Sequence, residues 1–314
     1  NGINVQAGIL TAKNIIDATD AQGNTRVGSG AGDAFDGTNA NDNSLFGKDA
    51  GTAITTGDRN TGIGKQALEA LTTGSYNTAL GRSALPAATT ADENTAIGYV
   101  ALYSNTTGAE NTALGSQALE ANTTASYNTA IGKGAMHVNT TGTYNVAVGH
   151  QALDANTTAN NNTAIGYAAL GANTIGAQNT AVGKNALFQT TTGIQNTALG
   201  FEALYTPTTV SNNTAVGYRA LLSNTTANDN TAIGCNALRL NTTGEFNVGV
   251  GASALAANTT GGYSVAVGCF ALDANTTGAS NTALGYGALT ANTTASFNTA
   301  VGNGSLQANT TGAS

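Results

Sequence analysis

The chain contains no tryptophan, two prolines, two cysteines and one methionine among its 314 residues. Aromatic residues make up only 5% of it, and charged residues only 9%. A conventional globular core is built largely from big apolar and aromatic side chains, and this composition offers too few of them. A narrow core of Thr, Val, Ile, Leu and Ala, as in a thin β-solenoid, suits the composition better.

Other shortages argue against whole classes of function. The net charge is -7 and there is no basic stripe, so we expect no nucleic-acid partner. No apolar run approaches the roughly 20 residues that a membrane-spanning helix needs, so we expect no membrane insertion. The chain begins with Asn1 and shows no signal peptide, which suggests a processed protein or a piece of a longer one.

The dominant feature of the sequence is a repeat. From Asn43 onward the motif N-T-A-(I/L/V)-G-x-x-A-L-x-A-N-T-T-(G/A)-x-x recurs every 17 residues, in sixteen units without an insertion, and one looser 19-residue unit precedes them from Asn24. A strict short period is typical of a solenoid. We therefore predict an all-β parallel β-solenoid, or β-roll, of about seventeen coils over residues 24–314, after an N-terminal strand, cap or attachment segment at residues 1–23.

Each residue of a unit can be given a column number from 1 to 17, with the asparagine of N-T-A as column 1. Columns 2 and 4 carry Thr or Val and aliphatic residues, so we expect them to point into the coil with the leucine of column 9. Columns 1, 3 and 5, mostly Asn, Ala and Gly, would then face outward, joined by the alanine of column 8. The A-N-T-T stretch predicts a second short strand or a corner, and Gly or Ala in column 15 indicates a turn.

An outward strip of small residues would allow another backbone to approach closely. We therefore predict self-association, as a side-by-side homotrimer with C3 symmetry. The alternative is that the small residues only satisfy the curvature of the coil.

The columns also bear on the cysteines and asparagines. Cys235 and Cys269 share column 6 but lie two coils apart, roughly 9.6 Å at strand spacing, so a disulfide is not expected. The asparagines of columns 1 and 12 predict hydrogen-bonded ladders that stabilise turns and corners. Ten column-12 asparagines are also Asn-Thr-Thr sequons, which leaves N-glycosylation as an alternative.

Nothing in the sequence indicates an enzyme, a cofactor or a metal site. His137 and His150 are the only histidines, and no matching Cys, Ser or carboxylate cluster accompanies them, so we expect two isolated surface residues. The carboxylates of column 10 are scattered over distant coils, which argues against a glycosidase pair. The acidic residues between Asp33 and Asp42, with Asp17 and Asp20, indicate a solvated cap loop, with a metal site as the alternative.

The aromatic residues are the most suggestive variation. All ten tyrosines fall in columns 6, 10 and 17, and column 6 also carries most of the lysines, so it should face solvent. Aromatic faces can stack on the sugars of a cell-surface glycan; the alternative is that they cover turns and shield coil edges. The candidate glycan or receptor contacts are Tyr99, Tyr167, Tyr218, Tyr286, Phe201, Tyr103 and Tyr205.

The repeat resembles a known class of sequence. The N-T-A-I-G-Y-x-A-L run at residues 94–102 and 162–170 resembles the S-V-A-I-G-type repeat of trimeric autotransporter adhesin heads, and Ser264 to Gly268 is its closest match. Those heads are left-handed parallel β-rolls that form trimers. The full 17-residue motif looks still more like repeat arrays in bacteriophage tail-fibre proteins, and the resemblance covers residues 24–314.

The resemblance implies a structural fibre shaft, in a phage tail fibre or a similar surface appendage, that spaces or carries host-cell adhesion. Its expected partners are copies of itself, other fibre or baseplate proteins, and a host cell-surface glycan or receptor, and its expected place is a virion or a cell surface. A lateral glycan-binding adhesin of a bacterial cell surface is the alternative. An ice-binding solenoid is more remote, because the adjacent threonines of each Thr-Thr pair should point to opposite sides.

Overall fold

The computed structural model describes residues 20–312, which form two compact units that divide between Thr141 and Gly142. Each unit is described by itself. The predicted N-terminal segment falls mostly outside the described residues, and only residues 20–23 of it belong to them. Residues 20–312 include no helix that is long and apolar enough to span a membrane.

Each unit is a parallel β-solenoid with one three-residue strand per coil. The first unit contains β1 Thr25–Val27, β2 Ser44–Phe46, β3 Thr61–Ile63, β4 Thr78–Leu80, β5 Thr95–Ile97, β6 Thr112–Leu114 and β7 Thr129–Ile131. The second contains β8 Val146–Val148, β9 Thr163–Ile165, β10 Thr180–Val182, β11 Thr197–Leu199, β12 Thr214–Val216, β13 Thr231–Ile233, β14 Val248–Val250, β15 Val265–Val267, β16 Thr282–Leu284 and β17 Thr299–Val301.

Within each unit every strand pairs in parallel with the strands of the adjacent coils, column against column. Thr180, for example, is aligned with Thr163 on one side and with Thr197 on the other. The prediction of a parallel solenoid built from 17-residue coils is therefore confirmed.

The prediction of two strands per coil is wrong. The A-N-T-T stretch does make backbone hydrogen bonds between coils, since the amide of Thr72 donates to the carbonyl of Thr89 at 2.9 Å. However, this stretch bends at columns 13 and 14, so it never runs straight for long enough to form a strand.

The faces of the strand are also the reverse of the prediction. The column-3 alanines, such as Ala181, are fully buried, as are the column-8 alanines and the column-1 asparagines, whereas the residues of columns 2 and 4 lie at or near the surface. Column 9 points inward as predicted, and Leu187 is fully buried. The reason is space: the leucine fills the narrow interior, and the opposite strand then has room only for a small side chain.

One coil exchanges the two sizes and so demonstrates this packing. In the coil that begins at Asn43, column 3 is the fully buried Leu45 and column 9 is Gly51. A Cβ on Gly51 would lie 2.7 Å from Cδ1 of Leu45. The two columns therefore occupy the same interior space, and a large residue in one requires a small residue in the other.

The glycine of column 5 is required by both backbone conformation and contact. Gly183 has a φ of 133°, and a Cβ there would lie 2.5 Å from the carbonyl oxygen of Gly200 in the next coil. Other left-handed positions tolerate side chains, because columns 7, 9 and 17 hold non-glycine residues with φ near +50 to +60° in most coils. Column 15 approaches the next coil just as closely, since a Cβ on Gly176 would lie 2.3 Å from the carbonyl oxygen of Gly193, but its glycines do not have a left-handed φ.

The predicted asparagine ladders are present and lie inside the coil. In column 1, Asn179 Oδ1 accepts from the amide and from Nδ2 of Asn196 at 3.0 and 3.1 Å. Its own Nδ2 donates to the carbonyl of Gly193 at 2.8 Å. In column 12, Asn122 Nδ2 donates to Asn105 Oδ1 at 2.8 Å and to a column-15 carbonyl, that of Ala125.

Burial also bears on the glycosylation alternative. Nine of the ten sequon asparagines, all except Asn309, are fully buried. Their side-chain nitrogens therefore cannot carry a glycan while the coils are stacked.

Candidate functional site

The side chains that vary most between coils project from the turn after each strand. Columns 6 and 10 point into solvent, with Tyr99 51% and Tyr103 46% exposed. Column 7 lies between them, and its residues form the floor of any depression in this surface. Its left-handed conformation, for example a φ of 52° at Val100, is part of the turn that separates the two outward columns.

In the second unit, the column-6 side chains of consecutive coils form a ladder. His150 stacks on Tyr167 with ring centroids 5.6 Å apart, and Phe201 stacks on Tyr218 at 5.5 Å. Lys184 lies between the two pairs, with Nζ 5.6 Å from the Tyr167 ring and 5.9 Å from the Phe201 ring. Such contacts contribute about 0.5–1 kcal/mol each at exposed sites.

This ladder changes how the predicted glycan contacts present themselves. Both faces of Tyr167 and both faces of Phe201 are occupied by ladder neighbours, so these rings offer solvent their edges. Tyr218 is covered further by Arg219, whose guanidinium lies 5.1 Å from its centroid and whose Nε binds Glu202 Oε2 at 2.8 Å. The geometry of these three rings therefore favours a role in shielding and joining coils.

Two other predicted contacts in the second unit have aromatic neighbours as well. Tyr205 stacks on Phe188 in column 10 at 5.5 Å, and Tyr286 meets the edge of Phe270 at 6.0 Å. Tyr286 remains 59% exposed.

In the first unit, the structure brings two predicted contacts together on one groove of about 340 Å³. Tyr99 forms one wall with Arg82 in column 6, and Tyr103 forms the other with Glu120 in column 10. The floor is formed by the column-7 residues Gln66, Ser83, Val100 and Gln117.

The floor of this groove explains its existence. Ser83 and Val100 are short and buried, whereas the flanking Gln66 and Gln117 are long and half-buried. Gln66 and Gln117 are three coils apart, about 14 Å at strand spacing, so two consecutive short residues leave a depression between them.

The cationic side chains of the first unit concentrate beside this groove. Lys48, Lys65 and Arg82 occupy column 6 in three consecutive coils of a chain that has only ten Lys and Arg residues. The guanidinium of Arg82 lies 5.8 Å from the Tyr99 centroid. Neither Lys65 nor Arg82 has an acidic partner within ion-pair distance among residues 20–312, so both charges are open to a ligand.

The polar groups of the groove were missed from the sequence, although a signal was present. In column 7 the succession Gln-Ser-Val-Gln at residues 66, 83, 100 and 117 places two short residues between two long ones. The sequence pointed to Tyr99 and Tyr103 by residue type only, and their shared groove depends on the intervening floor.

The two histidines are not isolated, contrary to the prediction. His137 Nε2 lies 3.2 Å from Glu120 Oε2 of the preceding coil, and His150 belongs to the column-6 ladder. The acidic loop forms its own hydrogen bonds, since Asp36 Oδ1 accepts from the amide of Thr38 at 2.8 Å. Among residues 20–312, no group of three or more His, Cys, Asp or Glu side chains is placed to hold a metal ion.

The cysteine prediction is confirmed, since Cys235 and Cys269 are both free. The threonine pairs also divide as expected. Thr106 is half-buried and its hydroxyl donates to the carbonyl of Thr123 at 3.1 Å, whereas its neighbour Thr107 is exposed.

A second surface runs along the outward face of the strands. The column-4 side chains are aliphatic in every coil except one, which has Phe46, and nearly all are flanked by column-2 Thr or Val; each is half-buried or exposed. Leu80 is 43% exposed in the first unit, and Leu199 and Leu284 are each 47% exposed in the second. We call this surface the aliphatic stripe.

Comparison with known proteins returned no match: no protein-family model and no curated protein is similar to this chain at a significant level. The fold and the surfaces define a β-solenoid repeat protein.

Proposed function

We propose that the chain is the shaft of an extracellular fibre, of the kind found in phage tail fibres and similar surface appendages. In this role it spaces or carries host-cell adhesion. The support for a shaft is uniformity: within each unit, coil after coil repeats one backbone path, one strand register and the column-1 ladder of buried side chains. A spacer needs length and regular stacking. Every further 17 residues add one coil, which lengthens the stack without changing how the coils pack.

The observation that carries the proposal is the aliphatic stripe. A continuous row of exposed apolar side chains is unusual on a soluble monomer and supports an interface at this surface. Of the small-residue strip predicted for self-association, the alanines of columns 3 and 8 are buried inside the coil and only the column-5 glycines reach the surface, so we propose the stripe as the contact surface instead.

The occupant we propose for the stripe is another copy of the same chain. A stripe with one aliphatic residue per coil matches an identical stripe on a parallel copy, because both advance by the same rise per coil. Three copies around one axis would cover all three stripes in a closed C3 arrangement, which leaves no stripe open to further growth.

The test is the mass of the full chain in solution at micromolar concentration, measured by light scattering during size-exclusion chromatography. We expect three times the chain mass of 30.9 kDa. A mass of one chain would contradict self-association, and a mass of two chains would contradict the trimer while leaving the stripe as an interface.

A further inference from the structure

We infer that the groove between Arg82 and Glu120 in the first unit binds an anionic saccharide. This inference goes beyond the proposed shaft and does not rest on it, because the groove lies on columns 6, 7 and 10 and the aliphatic stripe on columns 2 and 4.

The shape of the groove suits a small part of a glycan. Its volume of about 340 Å³ lies at the lower end of the range for small-molecule sites. It is bounded by two exposed tyrosines whose rings provide apolar surface and whose hydroxyl groups can donate and accept. Sugars present just such a combination of C–H faces and hydroxyl groups.

The charge of the groove gives the class of sugar. Arg82 is held over the Tyr99 ring and has no acidic partner among the described residues, so its planar guanidinium can pair with a carboxylate or sulfate through two parallel hydrogen bonds. Lys65 continues the same cationic edge one coil away. An unpaired cationic edge in a chain of net charge -7 favours a ligand that carries negative charge along its length.

The opposite part of the groove provides neutral recognition. Gln66 and Gln117 close its two ends with amide groups that can donate to and accept from hydroxyls. Gln66 Nε2 already donates to Glu69 Oε1 at 3.2 Å, which holds the side chain in place. Glu120 lies two coils beyond Arg82 on the other wall. Its Oε2 faces His137 Nε2 at 3.2 Å, and its other oxygen, Oε1, can accept from a sugar hydroxyl while the anionic group stays beside Arg82.

The experiment measures binding to the full chain at low salt by isothermal titration calorimetry. The probes are tri-galacturonate, which carries carboxylates, its neutral counterpart galactotriose, and a sulfated galactotriose. We expect tri-galacturonate to bind at least about tenfold more tightly than galactotriose, because an Arg–carboxylate pair adds charge-assisted hydrogen bonds. Equal binding of the sulfated sugar would support an anionic site that recognises charge alone.

The repeat suggests variants that fill the groove with a residue that the same column already carries in other coils. Val100→Gln fills the floor of the groove with a long side chain. Column 7 of two nearby coils already carries glutamine, and Gln66 and Gln117 adopt the required left-handed conformation with φ values of 61° and 64°. The matched control is Ser253→Gln, in column 7 of the second unit. We expect Val100→Gln to weaken tri-galacturonate binding by about tenfold or more, and the control to leave it unchanged.

A second variant separates charge from shape. Arg82→Ser replaces the arginine with serine, which column 6 already carries at position 116. We expect this variant to lose the preference for tri-galacturonate over galactotriose. Lys133→Ser is its control in the same column.

The inference would be overturned by no binding of either anionic probe, by equal binding of galactotriose, or by full binding to Val100→Gln with an unchanged unfolding midpoint. None of these results alters the measured mass, so failure here is distinguishable from failure of the shaft proposal.

Discussion

Buried asparagine side chains hold neighbouring coils together, a role that large apolar residues have in a conventional core. A column-1 asparagine joins three coils. The side-chain Oδ1 of Asn179 accepts from the next coil, its backbone amide donates to Asn162 Oδ1 of the preceding coil, and its Nδ2 donates to the Gly193 carbonyl of its own coil. All of these groups are buried, so each lost partner leaves a polar atom without water to replace it.

Asn179→Ala should therefore be strongly destabilising. It removes the acceptor for the Asn196 amide and the donor for the Gly193 carbonyl. At about 1–3 kcal/mol for each unsatisfied group, we expect the free energy of unfolding to fall by about 2–6 kcal/mol. The measurement is the shift of the urea unfolding midpoint followed by circular dichroism.

The chain provides its own control for this substitution. Ser264 already stands in column 1, and its Oγ accepts from the amide of Asn281 at 3.2 Å. Asn179→Ser keeps that acceptor and should cost clearly less than Asn179→Ala. Equal effects of the two variants would show that the ladder contributes little beyond side-chain volume.

Each coil depends on its neighbours for hydrogen-bond partners, and the first described coil shows how a missing neighbour is replaced. Asn24 has no preceding column-1 asparagine, and Asp20 takes that place: Asp20 Oδ1 accepts from the amides of Asn24 and Gln22 at 2.9 and 3.1 Å. Burial alone would raise the pKa of the Asp20 carboxyl, but the hydrogen bonds from Asn24 and Gln22 outweigh it and lower the pKa.

This cap should make the first coil sensitive to acid. A carboxyl whose pKa is lower in the folded state stabilises that state above its ordinary value of 3.8, and the contribution disappears as the pH falls through the folded-state pKa. We expect the amide of Asn24 to exchange faster with solvent as the pH falls from about 5 to about 2, once the intrinsic rate is corrected. NMR hydrogen exchange measures this.

The control is Asp20→Asn, which keeps a side-chain oxygen acceptor but does not titrate. In this variant the protection of the Asn24 amide from hydrogen exchange should stay constant over the same pH interval. The capping role would be contradicted if the wild-type amide showed no change or if Asp20→Asn showed the same acid sensitivity.

For the molecule as a whole, the aliphatic stripe decides between a lone solenoid and an assembly. Leu199→Lys combined with Leu284→Lys places two charges on the stripe of the second unit. If three stripes converge, each substitution buries three like charges without partners, and the trimer should weaken by well over tenfold. Light scattering over a dilution series measures the dissociation.

The matched control uses the exposed threonines of column 14 in the same unit. Thr226→Lys combined with Thr277→Lys adds the same two charges away from the stripe, and the assembly should be unaffected. Equal loss of assembly in both double variants would indicate a general charge effect, and the stripe would not be the interface.

Much of the fold could be predicted because the repeat imposes it. A 17-residue period without insertions leaves a stacked parallel solenoid as the natural arrangement. The invariant glycine of column 5 and the asparagines of columns 1 and 12 marked the positions where coils meet. The same column reasoning placed the two cysteines too far apart to bond, and both are free.

The direction of the strand faces could not be read from residue type alone. Alternation states that columns 2 and 4 share a face and that column 3 lies on the other, but it does not say which face is inside. The width of the interior decides it, since the column-9 leucine leaves space only for alanine. The exchange of sizes between Leu45 and Gly51 carried this information within the sequence.

The period and the composition therefore settled the class of fold, its register and the positions of its ladders, because these follow from local spacing repeated many times. Tertiary packing settled what faces outward: an aliphatic stripe where small residues were expected, a ladder of rings with covered faces, and a groove floored by Ser83 and Val100. These features depend on side-chain volumes in neighbouring coils, 17 residues apart in sequence but in contact across the stack.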